Sequence, residues 1–154
     1  MSIEAAHRAL AATVAVLALV GLTACSPKEP EMTPNDARDA LISTTQETAD
    51  LLDVDGWTAE GTPLAEGCGS GEQNVKWSYF SGAPLPDGDL NSMVSTVAEH
   101  WRSLGMEVRT QTTPVPAVFA TGGSLQGLAF AAGPSNLTIS GTSLCVPGDP
   151  DDYR

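Results

Sequence analysis

The chain has 154 residues, with 19 acids against seven Lys and Arg and a formal net charge of −12. Its few bases are scattered, so it lacks the Lys/Arg clusters that neutralise phosphates. That excludes nucleic acid as a partner, and an anionic bilayer surface would repel the chain rather than hold it flat. The length suits one domain around a single core, and acidity of this kind most often serves solubility.

Residues 1–8 hold His7 and Arg8, partly offset by Glu4, and residues 9–22 are uncharged and apolar. A membrane span needs roughly 20 apolar residues, so this shorter run fits a signal-peptide core. It ends in Leu22-Thr23-Ala24-Cys25, which resembles the bacterial lipoprotein lipobox. That resemblance implies diacylglycerol on the Cys25 sulfur, cleavage before it, and a mature chain beginning at Cys25. The alternatives are an ordinary secretory signal with an incidental cysteine, or a retained N-terminal anchor. The position of Cys25 at the small-residue site favours lipidation. Two acyl chains suffice for stable tethering. Cleavage removes one acid and one base, so the net charge is unchanged. Residues 1–24 are thus read as a signal peptide and 25–32 as the lipidated cysteine with a Pro-rich spacer. Residues 33–147 are the folded domain and 148–154 an acidic disordered tail.

Thr33-Pro34-Asn35-Asp36 predicts a helix start, with a threonine cap, proline at the first position and early acids. Ala37, Leu41, Thr44, Thr48, Leu51 and Leu52 recur at helical spacing, giving a helix over about 34–53 that Asp53-Val54-Asp55-Gly56 terminates. Trp57–Pro63 is a candidate short strand. Val75, Trp77 and Tyr79 alternate with Lys76 and Ser78, giving a strand that stops at Gly82-Ala83-Pro84. Leu90, Val94, Val97, Trp101 and Leu104 mark a second helix over about 89–104. Asp87 or Asp89 caps it and Gly105 follows it. Strands are then expected from Met106 to about Thr113, at Ala117–Ala120, Leu125–Ala131 and Leu137–Cys145. Gly122-Gly123 makes the turn of a hairpin.

With Cys25 assigned to lipid, Cys68 and Cys145 remain, in a compartment where disulfides persist. Zinc binding lacks its paired cysteine spacing, and a redox role lacks Cys-x-x-Cys. The two cysteines are therefore expected to pair, closing a loop of nearly eighty residues.

This order predicts an α+β fold, α-β-β-α-β-β-β. Two helices would pack on one face of an antiparallel sheet, with one disulfide from the segment before the central strand to the last strand. The lipobox, the Pro/acid spacer, a helix running into Gly56-Trp57 and a helix ending Trp101-x-x-Leu104-Gly105 resemble the small secreted lipoproteins of actinobacteria. The two distant cysteines and low Lys with abundant Ala, Gly, Thr and Asp are similar too. The resemblance implies an address and a fold, not a reaction.

Glu99-His100-Trp101-Arg102 is the densest group of reactive side chains. With Trp101 in the buried stripe, Glu99, His100 and Arg102 form a solvated helix face. No Gly-x-Ser-x-Gly elbow seats a nucleophile for His100. Asp53-x-Asp55-Gly56 and Asp87-Gly88-Asp89-x-Asn91 have the outline of calcium loops but lack the glutamate at loop position twelve, where Leu64 and Ala98 stand. Gly122–Gly127 lacks the ending of a phosphate loop. Trp57, Trp77 and Trp101 fall on three elements, as core anchors would, and Tyr79 and Phe80 point to opposite faces of their strand. No catalytic residue, metal site or cofactor is assigned. The expectation is a non-enzymatic binding module of the cell envelope, on the extracytoplasmic face of the membrane. It is held there by lipid on Cys25 and faces an envelope protein or ligand that the sequence does not identify. The alternatives are a wall- or lipid-directed hydrolase using His100 or a carboxylate pair, or a carrier with a hydrophobic cavity between helices and sheet.

Overall fold

A computed structural model describes residues 31–59, 61–70 and 73–154. The expected signal peptide and the expected lipidation site, Cys25, lie outside the described residues. Helix α1 spans Pro34–Leu51. Thr33 caps it with a reciprocal box: its hydroxyl accepts from the Asp36 backbone N–H, and its own backbone N–H donates to the Asp36 carboxylate. An acid at the third helical position satisfies an otherwise orphaned donor. The buried face holds Ala37, Leu41, Thr44, Thr45, Thr48 and Ala49, continued by Leu52. Leu51, expected inside, faces solvent. Leu52 lies four residues after Thr48 and takes the next inward position, which rotates Leu51 off the stripe.

Strands β1 (Thr58–Ala59) and β2 (Leu64–Gly67) follow, then β3 (Asn74–Pro84). Of the strand expected at Trp57–Pro63, Thr58–Ala59 forms β1, whereas β2 was not expected and begins just beyond that stretch, and β3 runs through the glycine and proline expected to stop it. Pro84 is tolerated because it is the last β3 residue paired to the sheet, opposite Asn136. Helix α2 covers Leu90–Ser103, capped by Asp89, whose carboxylate accepts from the Asn91 N–H. Gly105 has φ +77, the left-handed geometry expected after the helix. Leu104, expected in the buried stripe, sits past the last turn and is 41% exposed.

The second half is a meander of β4 (Met106–Gln111), β5 (Ala117–Gly122), β6 (Leu125–Ala132) and β7 (Asn136–Ser143), followed by β8 (Val146–Pro147). The β5–β6 hairpin turns through Gly123 and Ser124, and Gly122, the last residue of β5, and Gly123, the first of the turn, both have positive φ, which favours glycine. Strand order is β1-β3-β7-β6-β5-β4, all neighbours antiparallel, with β2 and β8 also on β3. Long β3 is flanked by β1 and β2 on one side and by β7 and β8 on the other. Helix α2 carries the chain to the far edge, and the meander returns it to β3.

Both helices cover one face of this sheet, as the α+β reading expected. Leu41, Val97, Trp101, Val118, Phe130 and Ile139 are fully buried between the layers. The Trp101 indole N–H donates to the Thr48 hydroxyl at 2.9 Å, tying the helices together. Gly141 lets α1 approach closely, because a Cβ there would lie 2.6 Å from the Leu41 side chain. Cys68 and Cys145 form the disulfide, with Cα atoms 6.0 Å apart. The bridge links the end of β2 to the β7–β8 junction, across the start of β3. The expected disordered tail is instead folded: Pro150–Tyr153 make a 3-10 turn, and Tyr153 packs edge-on to Trp77 at 5.3 Å. An aromatic partner and the Asp149 cap, which accepts from the Asp151 N–H, outweigh the tail's acidic composition.

Candidate functional site

Among the described residues, none packs over the face of the sheet away from the helices, and its side chains are graded by size. Pairing sets Phe80 of β3 opposite Ser140 of β7, Ser140 opposite Ala129 of β6, Ala129 opposite Phe119 of β5, and Phe119 opposite Arg109 of β4. One cross-sheet row therefore reads aromatic, small, small, aromatic, basic. The neighbouring row places Leu64, Ser78 and Thr142 side by side, with Gly127 next to Thr142. Large side chains on the flanking strands and small ones on the central strands leave an open groove of about 700 Å³. Phe80 and Phe119 stand three strand spacings apart, about 14 Å between backbones, over a floor of Ser140, Ala129, Gly127 and Thr142.

Among the described residues, the groove lining carries little net charge. Lys76 lies 4.0 Å from Glu66, and the Ser78 hydroxyl donates to the same carboxylate at 2.9 Å. At the other side the Arg109 guanidinium rests over the Phe119 ring, 4.5 Å from its centroid. Ser140, Thr142 and Thr121 spend no side-chain hydrogen bond on another described residue, so their hydroxyls are available to a ligand. Leu64, 59% exposed, forms an apolar rim.

The residues singled out from sequence lie elsewhere. Glu99 and Arg102 are exposed on α2, and His100 is half-buried with its Nε2 lacking a hydrogen-bond partner. Asp53 and Asp55 are exposed after α1, and Asp87 and Asp89 before α2. Among the described residues, no three His, Cys, Asp or Glu side chains converge as a metal site would require. Trp77 and Trp101 are core anchors, whereas Trp57 is half-buried with an unpartnered indole N–H. Tyr79 faces the core and Phe80 the groove, on opposite sides as expected. Sequence reasoning missed Phe119 as the partner of Phe80. The local signal was its place in the short run Ala117–Ala120, but only the strand order brings it opposite Phe80. The space between helices and sheet, where the carrier alternative would place its cavity, holds the buried core, and the groove is on the other face.

No helix among the described residues is long and apolar enough to cross a membrane. No protein-family profile and no curated protein matches the chain. The fold is similar to the crystal structure of a DUF4853 family protein from Actinomyces odontolyticus, with a TM-score of 0.57 and 16% identity over 79% of this chain and 72% of that one.

Proposed function

We propose that the protein is an extracytoplasmic lipoprotein, tethered by lipid on Cys25, whose domain binds an uncharged ligand in the groove on the open sheet face. The observation that carries the binding reading is the row Phe80–Ser140–Ala129–Phe119. Two aromatic walls over a floor of small residues and free hydroxyls suit an elongated ligand with an apolar face and hydroxyl groups, as a sugar chain has. Lys76 is matched by Glu66, so the groove offers little to a strongly charged ligand. The tether rests on the Leu22-Thr23-Ala24-Cys25 sequence.

The test is native mass spectrometry of protein recovered from its own envelope without denaturation, comparing the parent with Ser140→Leu. Leucine at that position would fill the groove floor without touching the helix-covered core. A mass above that of the polypeptide in the parent, lost in Ser140→Leu at unchanged thermal stability, is the expected result. A bare parent mass, or an adduct that survives the substitution, rejects the groove as the site. In the same cells, Cys25→Ala should move the protein from the membrane fraction to the medium. Continued membrane retention would remove the lipid tether from the reading.

A further inference from the structure

The two edges of the sheet are built differently. One is broken into two and four residues by β1 and β2, with Gly61-Thr62-Pro63 between them. Short pieces and a nearby proline blunt an edge against pairing with another chain. The other edge is β4, six residues in unbroken register with β5 at the end of the strand order. Met106–Gln111 contains no proline, glycine or lysine. Alternate backbone N–H and C=O groups of β4 therefore lie on the side away from β5, with no strand among the described residues paired to them.

We propose that β4 pairs antiparallel with β4 of a second copy of this chain, about a two-fold axis passing through Val108. Facing residues in such a pair must share a face of the sheet, which limits the central registers to three. Centring on residue 107 puts Glu107 opposite Glu107, and centring on 109 puts Arg109 opposite Arg109. Like charges directly opposite destabilise a pair. Centring on Val108 puts Glu107 opposite Arg109 twice, and Met106 opposite Thr110 twice. Neither Glu107 nor Arg109 has an ion-pair partner among the described residues, and stacking on Phe119 holds Arg109 on the open face. The strand is thus self-complementary in one register, as a two-fold interface requires. A smaller depression beside Glu107 and Arg109 shares Phe119, Ala120 and Thr121 with the groove. Pairing therefore joins the two grooves on one continuous sheet face.

The test uses the full chain in its own cells and reads cross-linking on non-reducing gels. Cys68 and Cys145 are bonded to each other, and the parent chain sets the background for Cys25. Val108→Cys should give a band of twice the mass that reductant removes, because the two cysteines face each other on the axis. Thr110→Cys faces Met106 in this register and should stay at background. Adding Glu107→Arg to Val108→Cys puts arginine opposite Arg109 at both ends of the pair, and should cut the cross-linked fraction about tenfold. Adding Arg109→Glu as well should restore it. The pairing is overturned if Val108→Cys stays at background, if Thr110→Cys cross-links equally, or if Glu107→Arg leaves the fraction unchanged.

Discussion

Thr48 accepts the Trp101 indole N–H at 2.9 Å and donates its own hydroxyl hydrogen to the Thr44 carbonyl at 2.7 Å, fully buried. Thr45, one turn earlier on the same face, is equally buried, yet its hydroxyl has no partner. The same substitution should therefore act with opposite sign at the two sites. Thr48→Val strands a buried indole N–H and should cost about 1–3 kcal/mol. Thr45→Val removes a desolvated hydroxyl at nearly constant shape and should be neutral or stabilising by up to about 1 kcal/mol. Denaturant unfolding of both variants checks the pair. Asp36 gives a second residue-scale expectation. The side-chain hydrogen bond from Thr33, then the one from its backbone, lowers the Asp36 pKa below the ordinary 3.8. A folded pKa lower than the unfolded one adds stability above pH 3.8. That contribution is lost as pH falls through the lowered value. Asp36→Asn should flatten this acid limb of stability against pH and leave the neutral-pH fold intact, as circular dichroism across an acid titration would show.

At the scale of elements, both helices were legible because their signals are local. Thr33-Pro34-Asn35-Asp36 and Asp89 are caps whose partners lie within three residues, and Gly105 marks an end by its own geometry. The errors fall where tertiary contact outweighs local pattern. Gly82-Ala83-Pro84 reads as a break, but the backbone pairs with Leu137 and Asn136 of β7 as far as Pro84. Leu51 and Leu104 look like stripe residues because periodicity cannot show where a helix leaves the sheet. The acidic stretch after Pro147 reads as disordered because composition does not reveal that Tyr153 has Trp77 to dock on. Glu66 and Lys76 are ten residues apart in sequence but face each other across β2 and β3, a pairing no local pattern carries.

At the scale of the whole molecule, the disulfide is the covalent constraint that ties distant parts of the chain together. Its ends are 77 residues apart, a loop whose closure stabilises by about 4 kcal/mol on the chain-entropy model. Reduction, or Cys68→Ser with Cys145→Ser, should lower the thermal midpoint by 10 °C or more, at roughly 4–8 °C per kcal/mol for a domain near this size. Calorimetry with and without reductant reads this directly. The pairing could be inferred because only two cysteines remained once Cys25 was assigned. The groove could not, because its walls come from β3 and β5 and its floor from β7 and β6, and their order follows from α2 carrying the chain across the sheet.

Trp77 has a further consequence. Its indole N–H donates to the Pro34 carbonyl at 2.9 Å, and its ring meets Tyr153 at 5.3 Å. One indole thus holds both the first turn of α1 and the last turn of the chain. A linker from Arg154 to Thr33 would close the backbone of this domain into a ring. Opening that ring at the Gly123-Ser124 turn would then give a circularly permuted chain with the same sheet and a different pair of ends.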